Sequence, residues 1–321
     1  MTPPDGVERA SSRPVPTIAG PTAVGKTELS LKLAERLPPD ESPAEIISAD
    51  SRQVYRDLDI GTAKPSAEAQ ERVPHHFIDE KDLDEDFSAG AFAEEAHARI
   101  DAIRERGREA LVVGGSTLYL HALQVGLADI PDVPSGVRER LGERLEREGA
   151  DALFAELQDV DPDRAAKLDE TKTHQVIRAL EVHEHTGRTL THFHEHQPEP
   201  PHDFSTVVLQ RDRSLLYDRI NRRVDRMLQA GLVDEVRALR KRGADRHRPP
   251  LRTIGYREVF DFLDGEHDRA EMERLIKRNT RRYAKRQLSW FRRYDDYTWT
   301  HAETPVEEVL EMLTQESPCG V

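Results

Sequence analysis

PVPTIAGPTAVGKTELSLKLAERL, residues 14–37, is the stretch whose reading decides the fold. Val15, Ile18 and Ala19 form a short apolar run that predicts a buried strand. Gly20-Pro21-Thr22-Ala23-Val24-Gly25-Lys26-Thr27 then fits G-x-x-x-x-G-K-[ST]. Leu29, Leu31, Leu33, Ala34 and Leu37 follow on the buried side of a helix. Strand, glycine-rich loop and helix in that order is the context in which the motif binds phosphate. Main-chain N–H groups of the loop and the positive end of the helix make an anion cradle. Lys26 can reach bound phosphates and the Thr27 hydroxyl can ligate Mg2+, so residues 20–27 are expected to hold a polyphosphate.

Outward from this loop, strands alternate with helices. Glu45–Ala49 reads as a second buried strand ending at Asp50, His75–Asp79 as a short one, and Ala110–Val113 as another, with a helix over Ala89–Arg106. Residues 54–70, with Gly61 and Pro65, read largely as loop. The pattern predicts an α/β fold with a parallel sheet, a P-loop NTPase-like core. Residues 129–202 break it: helical segments near 135–148, 150–158, 162–168 and 174–186, with no strand signal until Phe204. Phe204–Leu209 returns to the sheet, followed by helices near 214–229, 233–242, 256–263 and 268–292 and a last strand at Tyr297–Thr300. The expected organisation is therefore a core of 14–128 and 203–316, a helical insertion over 129–202 and a disordered, Pro- and Ser-rich tail over 1–13.

Composition narrows the function. A chain of 321 residues exceeds one simple core, and 34% charged against 36% hydrophobic residues implies a heavily ionised surface. The single Cys319 offers neither a disulfide framework nor a thiol metal site. No apolar run approaches the ~18 residues of a membrane span and no signal-peptide core is visible, so a cytoplasmic location without membrane association is expected. The net charge of −14 argues against a polyanionic partner unless basic residues are gathered locally. They are: residues 274–293 contain no acidic side chain, and Arg219, Arg222, Arg223 and Arg226 mark a second basic helix. A solvated face is the ordinary reading of a charge run, but the contrast with the whole chain favours a polyanion-binding surface. His192, His194 and His196 lack a carboxylate or cysteine at ligand spacing and read as surface residues.

An ordinary P-loop ATPase needs a carboxylate at the end of a later strand. Leu111-Val112-Val113 ends instead in Gly114-Gly115-Ser116, where the glycines allow close approach and Ser116 reads equally as a cap of the next helix or as a functional hydroxyl. Asp50 is the carboxylate with the right placement, as a general base or a Mg2+-side group, against the plain alternative of a cap. Ser51, Arg52 and Gln53 beside it offer a cation and an amide suited to reading a base.

Taken together, GPTAVGKT at 20–27, DSRQVYRDLDIGTAKP at 50–65, VPHHFID at 73–79, LVVGGSTLYL at 111–120, HQVIRALEVHEHTGR at 174–188, LRTIGYRE at 251–258 and TRRYAKRQLSWFRR at 280–293 resemble the tRNA dimethylallyltransferase (tRNA isopentenyltransferase) family. The matches run in the family's order from about residue 15 to 300. The resemblance implies that the loop binds the diphosphate of dimethylallyl diphosphate and that the five-carbon group passes to N6 of the adenosine 3′ of the tRNA anticodon. It implies Asp50 as general base, with Lys26, Thr27 and Arg223 in the diphosphate set and Mg2+ on Thr27. Asp50, Ser51, Arg52 and Gln53 would contact the target adenosine. Ser116, Arg138, Gln175, Val176, Ile177, Arg178, Ala179, Arg252, Thr253, Ile254, Gly255, Tyr256 and Arg257 match stretches that touch tRNA. The chain has Ser116 where the family usually has Thr, and Thr173-His174-Gln175 where a DPQR-like lead-in is usual. The insertion would close over the anticodon loop, and a monomer is expected. The rival readings are a P-loop kinase for a nucleotide or other small molecule and an adenylate isopentenyltransferase, neither of which requires the basic helix or the long insertion. A nucleotide-gated RNA-binding protein would need switch elements, which are not seen.

Overall fold

The computed structural model describes residues 13–37 and 43–314. The tail expected over 1–13 therefore falls, up to residue 12, outside the described residues, as do Cys319 and the far end of the expected core. By contacts the chain divides into two compact units, one of residues 1–124 with 201–321 and one of Val125–Pro200.

The first unit is built on six strands, β1 (Val15–Ala19), β2 (Glu45–Ala49), β3 (His75–His76), β4 (Ala110–Gly114), β5 (Phe204–Gln210) and β6 (Thr298–His301). They form one sheet in the order β3-β2-β4-β1-β5-β6, and every pairing is parallel. Successive strand residues serve opposite faces. Ile46, Leu111 and Val207 pack with the phosphate-loop helix Lys26–Ala34, the helix Arg213–Gln229 and the helix Val306–Thr314. Ile47, Val112 and Val208 pack with the helices Ala89–Glu105, Thr117–Gln124 and Tyr256–Leu263. Burial on both faces explains why the strands read as continuous apolar runs and why the sheet is parallel.

Local chemistry sets the departures from expectation. The strand expected over His75–Asp79 is only two residues long, because Phe77 and Asp79 take positive φ (64° and 56°) and leave the extended conformation. The 54–70 loop contains the start of a helix, Ala67–Arg72, whose Ser66 cap accepts from the Ala69 amide. Two further short helices, Leu190–Glu195 and Val306–Thr314, are not among the elements expected from the sequence. The first is barely more than about a turn and a half, while the second does carry Val306, Val309, Leu310 and Leu313 at helical spacing. Val125–Pro200 contains helices and, among the described residues, no strand, with Leu141, Leu153, Leu157, Val176 and Leu180 among its core residues. Its helix Thr173–Thr186 ends at Gly187, which takes the left-handed conformation as the sequence suggests. Among the described residues no helix is long and apolar enough to cross a membrane.

Candidate active site

Parallel register creates the site. Ala19 pairs with Gly114 and Gly114 with Ala49, so β1, β4 and β2 end in one row. Gly20, Gly115 and Asp50, the residues that follow, leave the same edge side by side. Ligands of open α/β sheets bind at that carboxyl edge. The row is tight: a Cβ on Gly114 would stand 2.3 Å from the Ala49 carbonyl oxygen, and one on Gly20 would stand 2.9 Å from that of Leu209. A cavity of about 1280 Å3 opens above it, lined by Lys26, Thr27, Asp50, Gln53, Arg223 and Tyr283 among others.

The phosphate loop is held from outside. Ala23 and Gly25 take positive φ. Arg219 Nε donates to the Ala23 carbonyl at 2.9 Å and Arg211 Nε to that of Val24 at 2.6 Å. Lys26 Nζ folds back onto the carbonyls of Gly20 and Pro21, at 2.9 and 3.0 Å. Burial pushes the Lys26 ammonium down to about 8; Asp50 opposes this, and Arg223 adds to it. Burial likewise lowers the Arg223 guanidinium against the attraction of Asp50. The concentration of cations around a cradle of amides is the electrostatic complement of a diphosphate.

Asp50 uses one carboxylate oxygen to cap its own turn. Oδ1 accepts from the amides of Arg52 (2.9 Å) and Gln53 (3.4 Å), while Oδ2 has no hydrogen bond among the described residues. The cap reading and the functional one are thus compatible, one oxygen for each. Ser116 does not cap the following helix. Its Oγ accepts from the Ser51 amide at 2.9 Å and stands 3.3 Å from the Ser51 hydroxyl, tying the end of β4 to the turn after β2. The Gln53 amide is engaged within the protein in this structure. Nε2 donates to the carbonyls of Thr62 and Ala63, both at 3.3 Å, and Oε1 accepts from Ser48 Oγ at 3.2 Å. Arg52 is partly exposed, and its guanidinium donates to the Ser51 carbonyl.

Gln287 escaped the sequence reading. It lies on the basic helix Arg269–Phe291, is buried, accepts from the Thr22 amide at 3.0 Å and donates to the Gly115 carbonyl at 2.6 Å. One glutamine therefore joins the phosphate loop, the turn after β4 and the basic helix. A polar side chain amid Arg and Lys gave no sign of this. The same helix lines a second cavity of about 680 Å3 with Arg282, Lys285, Arg286 and Trp290, Arg293 just past its end also lines it, and Tyr283 and Gln287 border both cavities. Burial pushes the Tyr283 hydroxyl up to about 12, so it is protonated at neutral pH.

The remaining expected contact residues divide by exposure. Arg252 and Arg257 are exposed and Ile254 is partly so, but Tyr256 is fully buried and Gly255 is buried at φ 101°. Thr253 Oγ1 is buried without a hydrogen-bond partner among the described residues. The Tyr256 side chain thus sits in the core and away from the surface in this structure. In the helical unit, Val176 and Ala179 are core side chains, while Gln175 is exposed and Ile177 and Arg178 partly so. Arg138 grips the buried Glu181 with Nε and a terminal nitrogen, both at 2.8 Å, and Arg178 donates to it at 2.6 Å. Burial alone would raise the Glu181 pKa, but the two guanidiniums outweigh it and hold the carboxylate below its usual value.

Comparison with known proteins assigns a family to this geometry. The family model described as IPP transferase matches residues 53–294. A protein of Salinibacter ruber called tRNA dimethylallyltransferase is 62% identical over 95% of this chain and 94% of its own length. One of that name from Chlorobaculum parvum is 45% identical over 95% and 99%. The full-length tRNA isopentenylpyrophosphate transferase of Bacillus halodurans superposes with a TM-score of 0.69 at 40% identity, covering 94% of each chain. A eukaryotic dimethylallyltransferase solved acting on tRNA gives 0.73 at 29% identity, over 91% of this chain and 74% of that one. The chain belongs to the IPP transferase family.

Proposed function

We propose that the chain transfers the dimethylallyl group of dimethylallyl diphosphate to N6 of the adenosine 3′ of the tRNA anticodon, releasing diphosphate. The observation that carries this is Asp50, with one free carboxylate oxygen, beside a cation-rich phosphate loop whose neighbouring strand β4 ends in Gly114-Gly115. A phosphoryl-transferring ATPase would need a carboxylate there.

In the reaction the N6 lone pair attacks C1 of the dimethylallyl group, the C1–O bond breaks, and its electron pair leaves with the diphosphate. The amine proton passes to Asp50. An exocyclic aromatic amine is a weak nucleophile, so a carboxylate that accepts its proton during attack assists it. Loop amides, Lys26 and Arg223 stabilise the charge that grows on the leaving oxygens. The Thr27 hydroxyl is exposed on the cavity and is a hard oxygen donor of the kind Mg2+ prefers. Thr27 would hold the ion together with the diphosphate, and the ion would supply further neutralisation of the leaving group.

The adenine must leave its stack to reach the cavity. Trp290 and Tyr283 among Arg282, Lys285, Arg286 and Arg293 make an aromatic and cationic groove of the kind that receives unstacked nucleic acid. The helical unit, through Arg138, Gln175, Ile177 and Arg178, supplies further tRNA contacts. Every proposed catalytic residue comes from one chain, so a monomer suffices, working in the cytoplasm with its tRNA. Incubation with radiolabelled dimethylallyl diphosphate and total tRNA should place label in tRNA, with one diphosphate released per transfer. ATP turnover with a small acceptor and no label in tRNA would reject this reading in favour of a kinase.

A further inference from the structure

Tyr256 lies in the stretch LRTIGYRE, yet its ring is fully buried, and its hydroxyl donates at 2.6 Å to Oε1 of Glu235 on the helix Leu232–Lys241. The same carboxylate gathers three successive main-chain amides: Oε2 accepts from Ile60 at 2.8 Å and Asp59 at 3.2 Å, and Oε1 from Gly61 at 3.3 Å. Consecutive N–H groups in a turn form a nest that favours an anion, and here the anion is the protein's own. Gly61 lies against the Tyr256 ring so closely that a Cβ there would stand 2.3 Å from it. The turn is therefore fixed from below by both the carboxylate and the ring.

The next two residues face the active site. The Thr62 carbonyl accepts from the Arg223 guanidinium at 3.2 Å and from Gln53 Nε2 at 3.3 Å, and the Ala63 carbonyl accepts from Gln53 Nε2. Ala63 takes a positive φ of 49°, a conformation that a non-glycine residue holds only where its surroundings impose it. Gln53 in turn belongs to the turn capped by Asp50. A continuous hydrogen-bonded path thus runs from Tyr256 through Glu235 and the 59–63 turn to Arg223 and the Asp50 turn. We infer that Glu235 and Tyr256 are positioning residues, which set the 59–63 turn so that the Thr62 carbonyl aims Arg223 at the leaving diphosphate and keeps the Gln53 amide beside Asp50. This inference rests on the roles proposed above for Asp50 and Arg223.

Tyr256→Phe removes one hydroxyl and keeps the ring, and Glu235→Gln keeps the shape but replaces an acceptor by an NH2 group. Steady-state transfer to tRNA and thermal unfolding are measured for both, and for Arg223→Lys alone and combined with Glu235→Gln. Loss of the phenol hydrogen bond should lower kcat about 3- to 10-fold, and the Glu235 change about 10- to 100-fold. The KM for tRNA should stay within about twofold of wild type, since neither side chain meets the nucleic acid. The double variant should lose much less than the product of the two single losses. A raised tRNA KM with unchanged kcat for Tyr256→Phe would overturn the inference and make the tyrosine a tRNA contact. So would multiplicative losses in the double variant. If Glu235→Gln does not fold, the kcat and KM of Tyr256→Phe decide alone. Full transfer by Arg223→Lys and Asp50→Asn would instead overturn the underlying roles; impairment of these two with wild-type kcat in Tyr256→Phe rejects only the positioning.

Discussion

At the scale of single residues, Lys26 has the most readable consequence. Its ammonium loses its proton near pH 8 in the free protein, because burial outweighs the attraction of Asp50. A bound diphosphate favours the charged form and so raises the pKa. Diphosphate binding should then take up a proton between pH 8 and 9, and affinity should fall as pH rises through that range, with no such fall below about pH 7. Calorimetry of dimethylallyl diphosphate binding in buffers of different ionisation heat measures the uptake. Lys26→Arg should abolish it, and an uptake unchanged in that variant would assign the proton to another group. The residue scale is also where the sequence was least legible. Motif position marks Gln53, Ser116 and Tyr256 as chemically equipped residues, but not which partner each already has. Gln53 and Ser116 are occupied by contacts to residues 62–63 and 51, and Tyr256 by Glu235, whose carboxylate also reaches back to the amides of residues 59–61. Those partners are brought together by tertiary packing alone.

At the scale of elements, the basic helix Arg269–Phe291 does two jobs along its length. Near its start Lys277 is paired with Asp225 and Glu273, and Arg281 donates to the Asn221 side chain. The exposed cations Arg282, Lys285 and Arg286 belong to the second half, and exposed Arg293 follows just past its end. Counterion release by phosphate contacts gives a log–log salt slope of about 0.7–0.9 per phosphate. Arg282→Ala with Arg286→Ala should therefore flatten the salt dependence of tRNA affinity by about 1 to 2 and weaken all tRNAs alike, whereas Lys277→Ala should leave the slope unchanged. Filter binding from low to moderate salt tests this; an unaltered slope in the double variant would return the stripe to a solvated face. Gln287 predicts the second job. Gln287→Ala removes the acceptor of the Thr22 amide and the donor to Gly115, and it should weaken diphosphate binding about 5- to 30-fold, with the salt slope intact. Helix periodicity and the lack of acidic residues made the element and its charge evident from the sequence. The division into paired and unpaired parts was not, because Asp225 and Asn221 lie on another helix.

At the scale of the whole molecule, the parallel sheet was legible because strands buried on both faces leave unbroken apolar runs, and the phosphate loop fixes where the sheet's carboxyl edge lies. The order β3-β2-β4-β1-β5-β6, which sets Asp50 beside Gly115 and Gly20, depends on pairing between distant segments and is not written in any one of them. The unit Val125–Pro200 has its own core. Leu157 is fully buried there, and Leu157→Ala should cost that unit about 2–5 kcal/mol. If the unit serves tRNA alone, tRNA affinity should fall while dimethylallyl diphosphate affinity holds, since the phosphate loop and its cations lie in the other unit. The most direct measurement is single-turnover transfer of labelled dimethylallyl to tRNA by Asp50→Asn, with both substrates saturating and Mg2+ varied. A general base of this kind contributes roughly 10²–10⁴-fold, so transfer should slow by that factor, binding of both substrates should persist, and added Mg2+ should not restore the rate. Near-normal transfer, or recovery on raising Mg2+, would contradict the role of Asp50 as the proton acceptor.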